Sequence, residues 1–154
     1  ALPKKIFPPQ FIRHDSISGA QPGQIDSALR TWAPTATQVR VDLSATLFLS
    51  DPREYEGGEL SIEDHYGAHS IKLRAGDLIM YPASLLTRVQ PVTRGARLVA
   101  QLSVESMIRE DEYRRLLYEL DMSILALRAR HGDSAELARL TGCYHNLMRL
   151  WATT

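Results

Sequence analysis

Between positions 39 and 49 the chain alternates without interruption. Val39, Val41, Leu43, Ala45, Leu47 and Leu49 fall on one face, and Arg40, Asp42, Ser44 and Thr46 on the other. A period of two is the mark of a half-buried strand. Short apolar and β-branched runs continue to Glu105, separated by turn residues at Asp51 and Pro52, Gly57 and Gly58, Gly67, Gly76 and Asp77, and Arg94 and Gly95. Short strands punctuated at that spacing predict an antiparallel sandwich or barrel. Tyr81 and Pro82 close one of them, where a missing N–H is tolerated. Upstream, residues 5–14 carry β-branched and aromatic side chains around Pro8 and Pro9. Proline cannot donate to a ladder, so this stretch reads as an edge strand. Residues 15–37 are rich in Ser, Gly, Gln, Pro and Thr, show no sustained period, and read as a long loop of the kind that carries function.

After Ser106 the period lengthens. Tyr113, Leu116, Leu117, Leu120, Ile124 and Leu127 make one helical stripe, with Glu110, Asp111 and Glu112 in its first turn, where the macrodipole favours negative charge. Gly132 supplies a left-handed stop, and Asp133 or Ser134 can cap a second helix striped by Leu137, Leu140, Tyr144, Leu147, Met148 and Trp151. The expectation is a mostly β fold, a β-core over residues 1–106 followed by a helical extension over 107–154 packed on that core in a single domain.

Composition narrows the partners. Among 154 residues, 18 Lys and Arg balance 18 Asp and Glu, and no basic run is present. Nucleic acid and anionic membranes both require concentrated positive potential, so neither is expected as a partner. No stretch approaches the roughly 18 to 20 apolar residues that span a bilayer, and no basic segment followed by an apolar run opens the chain. A cytoplasmic location is the expectation. The single cysteine, Cys143, excludes an internal disulfide and reads as a small apolar filler on a helix.

Four strings carry a resemblance: VDLSATLFLSDPREYEGGELSIED, YGAHSIKLRAGDLIMYPASLL, VQPVTRGARLV and LLYELDMSILALRARHGDSAELARLTGCYHNLMRLW. They resemble the PKHD-type hydroxylases, bacterial relatives of prolyl hydroxylase in the Fe(II)/2-oxoglutarate dioxygenase superfamily. The resemblance implies a double-stranded β-helix, or jelly roll, followed by two α-helices, with Fe(II) and 2-oxoglutarate as cofactors. The chain is expected to lack the opening segment of that family.

The family holds iron with a His-x-Asp motif and a distal histidine, a facial triad with open positions for co-substrate and oxygen. The resemblance places the first motif at Gln24, Ile25 and Asp26, and the distal position at Thr87, beside Arg88. The carboxylate of Asp26 is retained and both imidazoles are replaced. An amide and a hydroxyl are weak neutral donors, so weak or no iron binding is expected. His14, His65 and His69 are the candidates for rescue, while His131 and His145 read as helix-cap or surface residues. The resemblance also implies that Arg97, ten residues beyond Thr87, grips the far carboxylate of 2-oxoglutarate with its guanidinium fork, and that the Tyr81 hydroxyl assists. The structural alternative for Arg97 is an ion pair across the barrel with Asp42 or another strand carboxylate.

Two classes of function follow. One is a 2-oxoglutarate-dependent hydroxylase working with an altered metal set on a small-molecule co-substrate. The other is a non-catalytic binding or assembly module, or a truncated family fragment, whose exposed barrel surface a homo-oligomer would cover.

Overall fold

The computed structural model describes residues 2–19 and 21–154. Eleven strands and two helices are assigned among them: β1 (Pro3–Asp15), β2 (Leu29–Trp32), β3 (Thr37–Arg40), β4 (Leu43–Phe48), β5 (Glu56–Gly57), β6 (Leu60–Asp64), β7 (Gly67–Ile71), β8 (Leu78–Pro82), β9 (Leu86–Val89), β10 (Val92–Arg94), β11 (Ala96–Ser106), α1 (Asp111–His131) and α2 (Ala135–Trp151). By internal packing they form two compact units. Lys5–Glu105 makes one, and Ser106–Thr154 with the N-terminal residues up to Lys4 makes the other.

The β unit is built from a four-stranded sheet in the order β1-β11-β4-β8 and a three-stranded sheet in the order β7-β6-β9. Gln24 extends the smaller sheet by an antiparallel bridge to Thr87 on β9. Followed along the chain, successive segments change sheets: β1 in the larger, Gln24 in the smaller, β4 in the larger, the β6–β7 hairpin in the smaller, β8 in the larger, β9 in the smaller and β11 in the larger. That alternation is the winding of a jelly roll. The proline-bearing strand β1 lies at a sheet edge, where the absent N–H groups of Pro3, Pro8 and Pro9 cost least.

The alternating run at 39–49 is two strands rather than one. It breaks after Arg40, where the Val41 N–H donates to Ala28 O and the Asp42 N–H to Val104 O, so the backbone changes partners while the side-chain period continues. Nor is β4 half-buried. Leu43, Ala45 and Phe48 are buried together with Ser44 and Thr46. The stretch at 15–37 is less irregular than its composition suggests, because β2 pairs with β3 as an antiparallel hairpin.

Between the sheets, Leu60, Ile62 and Tyr81 form a buried cluster with Ile71, Ile79, Leu85 and Val89 packed around it. The short β5–β10 pair sits beside the turn at Pro52–Glu54, which Asp51 caps by accepting from the Arg53 N–H at 3.0 Å. Gly95 passes so close to this turn that a Cβ there would lie 2.1 Å from Glu54 O, and its φ of +75° lies in the region that favours glycine.

In the helical unit the caps are local and fall where the sequence puts them. Gly132 adopts φ +72° and donates its N–H to Arg128 O at 2.9 Å, while Ser134 Oγ accepts from the Leu137 N–H at 3.2 Å. Tyr113 and Trp151 stack with centroids 4.3 Å apart. Of the two apolar stripes only Leu117, Ile124 and Leu137 are fully buried, and Leu116, Leu127 and Leu140 remain exposed. Cys143, expected as a small apolar filler on a helix, lies on α2 and is exposed. Neither helix is long and apolar enough to cross a membrane.

Gly95→Ala combines a left-handed backbone with a collision against a carbonyl. It is expected to lower the free energy of unfolding by about 2 kcal/mol or more, read as a lower urea midpoint at unchanged slope. A midpoint equal to that of the parent chain would contradict the close approach of Gly95 to Glu54.

Candidate functional site

Residues of one parity on the larger sheet face the interior. On β11 these include Arg97, Val99 and Gln101, on β4 Thr46, and on β8 Tyr81. All of them line a cavity of about 110 Å³. Ile12 and His14 enter from β1, Leu60 from β6, Thr87, Arg88 and Val89 from β9, and Gln21, Pro22 and Gln24 from the segment that bridges to β9. Among the described residues no aspartate or glutamate lines this space, although the Asp26 charge acts on the Tyr81 hydroxyl.

Arg97 dominates its electrostatics. Only 1% of the residue is exposed, and among the described residues no carboxylate pairs with it. Its Nε is buried without a hydrogen-bond partner, as is the Tyr55 hydroxyl. The guanidinium lies over the Phe48 ring, 5.4 Å from its centroid. Burial lowers the Arg97 pKa, offset in part by the neighbouring phenols of Tyr55 and Tyr81. A missing side chain makes room for its stem. A Cβ on Gly58 would meet Arg97 Cδ at 3.2 Å, Tyr55 Cε2 at 3.0 Å and Val92 Cγ2 at 2.9 Å. The ion pair with Asp42 proposed as an alternative is not formed. Asp42 is gripped by Arg40 through two hydrogen bonds of 2.7 and 2.9 Å, and Arg40 also approaches Glu105.

Tyr81 is 6% exposed, and its hydroxyl lies 3.5 Å from Thr46 Oγ1. Burial pushes its pKa up, so it stays a neutral phenol in the physiological range. His14, the penultimate residue of β1, is 7% exposed. Burial lowers its pKa below the ordinary 6.5, the charge of Arg97 adds to that effect, and Asp15 opposes it.

The three positions assigned to the metal ligands fall near one another. Gln24 and Thr87 are backbone partners, with N–H donors to carbonyls at 2.8 and 2.9 Å in the two directions. Thr87 Oγ1 donates to Gln24 O at 3.2 Å. Asp26, two residues on, accepts a short hydrogen bond from the buried hydroxyl of Ser44. Among the described residues no three His, Cys, Asp or Glu side chains converge as a metal-binding group. His65, at the turn of the β6–β7 hairpin, and His69, on β7, are exposed and lie outside the cavity, and His69 Nε2 contacts Asp64 Oδ2 at 3.0 Å.

Comparison with known proteins shows the family of the chain. The profile of the PKHD-type hydroxylase C-terminal domain matches residues 111–153. A PKHD-type hydroxylase of Polaromonas sp. strain JS666 is 51% identical over 154 residues, covering 100% of this chain and 68% of that protein. The chain belongs to the PKHD-type hydroxylase family. A second member, from Saccharophagus degradans, is 52% identical, again over 100% of this chain and 68% of the relative. Among solved structures, a Pseudomonas putida prolyl-4-hydroxylase matches 66% of this chain and 48% of its own, at 22% identity and a TM-score of 0.39.

Within this PKHD-type chain, sequence reasoning placed Arg97 and Tyr81 together in the site and treated His14 only as a remote candidate ligand. It missed Thr46 and Gln101 as lining residues and Phe48, Tyr55 and Gly58 as the cradle of the arginine. The signal for the lining residues was present in the parity that Thr46 shares with Ser44 on β4, and Gln101 with Arg97 on β11.

A buried cation without a counter-charge destabilises the ligand-free chain. Arg97→Met keeps the stem and removes the charge, and is expected to raise the unfolding free energy by about 1 kcal/mol or more, measured by urea denaturation without ligand. A loss of stability would mean that the guanidinium is compensated in a way the geometry does not show. His14 adds a pH dependence of known sign. Its folded pKa is lowered, so the unfolded chain binds more protons in the window below about 6.5, and stability falls as the pH drops through that window. His14→Gln is expected to flatten this part of the Tm-versus-pH curve, checked by thermal melts across the window.

Proposed function

We propose that this PKHD-type chain binds a small carboxylate of the 2-oxoglutarate class through Arg97 and Tyr81, and that it does not hold Fe(II) in the manner its family resemblance implies. The observation that carries the first half is Arg97: almost fully buried, facing a cavity with no acid in its lining, its Nε unpartnered. A guanidinium in that state is matched by a carboxylate, which accepts its forked donors and neutralises its charge in one contact.

The second half rests on donor chemistry. The residues at the ligand positions do not suit Fe(II). Gln24 offers a neutral amide. The Thr87 hydroxyl is engaged with a backbone carbonyl, and Asp26 supplies one carboxylate already bound by Ser44. Such a set lacks the imidazoles that secure a mid-series divalent ion. The pocket is therefore a carboxylate-binding module on a hydroxylase fold, and no oxidative step is assigned to it.

Two measurements test the reading. Anaerobic addition of Fe(II) and 2-oxoglutarate is expected to give no visible charge-transfer band, and aerobic incubation no succinate. Succinate formation above the protein-free control would overturn the loss of iron chemistry. The double variant Gln24→His and Thr87→His places imidazoles on two backbone partners beside Asp26. It is expected to gain Fe(II) affinity of at least about tenfold over the parent, measured by metal titration. No gain would put the assignment of those two positions in doubt.

A further inference from the structure

The cavity holds a second polar group that the carboxylate reading does not use. His14 stands near the end of β1, the strand next to β11, which carries Arg97. Both side chains are buried and both line the same space. The imidazole makes no hydrogen bond to any described residue. A neutral imidazole offers one N–H and one lone pair to whatever enters that space. A guanidinium with an unpartnered Nε and an imidazole able to become cationic thus share a cavity whose described lining contains no acid.

We propose that His14 is a second anion-binding group of this pocket, donating to the carboxylate that Arg97 holds and taking up a proton from solvent as that ligand enters. The inference rests on the carboxylate reading of the site. Its logic is electrostatic. In the empty cavity the guanidinium repels a proton on His14, and burial disfavours the charge further. A carboxylate seated on Arg97 cancels that repulsion and gives the imidazolium an acceptor, so protonation becomes favourable only with ligand present. The other groups around His14 do not substitute for the ligand. Asp15, its neighbour on β1, is itself held by Ser18 and Arg13. Tyr81 on β8 is a neutral phenol, Arg88 on β9 is a cation, and the bridging residues Gln21, Pro22 and Gln24 do not titrate. The ligand class follows: a small organic anion that stays fully ionised near neutral pH, bound without a metal.

Calorimetric titration of the full chain in EDTA tests this, with 2-oxoglutarate and with glutarate, which lacks the chelating keto group. Between about pH 8 and about pH 6 the affinity for both is expected to rise about tenfold, with net proton uptake shown by comparing buffers of different ionisation enthalpy. His14→Gln keeps an N–H donor that cannot titrate, and should bind with pH-independent affinity and no proton uptake. His14→Phe should bind more weakly at every pH, and Arg97→Gln should abolish binding throughout. Circular dichroism establishes that each variant is folded, and the proton uptake of the unaltered chain is informative without any variant. If the unaltered chain binds with no proton uptake, or His14→Gln retains the pH dependence, the role of His14 is overturned while the carboxylate reading stands. If neither anion binds at any pH, both are overturned.

Discussion

A guanidinium enclosed in a protein without an opposing charge constrains everything around it. Arg97 cannot shed its proton, so the cost of its burial must be offset by geometry or by a ligand. The surroundings show both. The Phe48 ring offers its face, two phenols lie near enough to act on the charge, and Gly58 gives up a side chain so that the stem can pass. These contacts reduce the cost without cancelling it, because the ring and the neutral hydroxyls carry no net charge. The strands that enclose the arginine are therefore held together partly against its electrostatics, by the apolar cluster of Leu60, Ile62 and Tyr81 between the sheets. A pocket arranged in this way is preorganised. On the reading proposed above, the field that attracts a carboxylate exists before the ligand arrives, and closing the charge balance is the ligand's contribution.

The metal positions obey a different constraint. Gln24 and Thr87 are brought together by backbone hydrogen bonds that do not depend on which side chains they carry. On the reading proposed above, a change from imidazole at such positions alters the donor set and leaves the sheet's backbone pairing intact. Asp26 has a side-chain partner of its own, since the Ser44 hydroxyl donates to its carboxylate across from β4. A chain can thus remain about half identical to PKHD-type hydroxylases over its whole length while two of the assigned ligand positions change character.

How much of this was legible in the sequence depends on the range of the interaction that decides it. The helix ends were readable because Ser134 and Gly132 act on backbone groups within a turn of themselves. The edge position of β1 was readable because proline states its own incapacity. The break after Arg40 was not, since alternation reports side-chain direction and is silent when the backbone trades one partner strand for another. Nor was the β2–β3 hairpin, whose residues are largely exposed and so carry no apolar period. In the site, the placement of Gln24, Thr87, Tyr81 and Arg97 came from family resemblance, whereas periodicity alone offered only a strand with a polar face. That face was the informative one. Ser44, Thr46 and Gln101 look like solvent-facing positions in the alternation, yet Ser44 is buried and Thr46 and Gln101 line the cavity beside Arg97.

That inversion bears on how function and stability are divided in the β unit. The inward face of the larger sheet mixes hydroxyls, an amide and a cation with Phe48 and Val99, while its other face buries Leu43, Ala45, Ala100 and Val104 and leaves Leu78, Met80 and Leu98 exposed. A sheet patterned for folding alone would place its apolar side chains inward, where each gains most from burial. Retaining the polar side inward costs desolvation at every group that lacks a partner, and Arg97 and Tyr55 are the two described residues with a buried side-chain atom left in that state. A pattern that opposes the hydrophobic effect at these positions is intelligible as the lining of a binding site. On the proposed reading, a group that weakens the empty fold is the one that gives a charged ligand its hold.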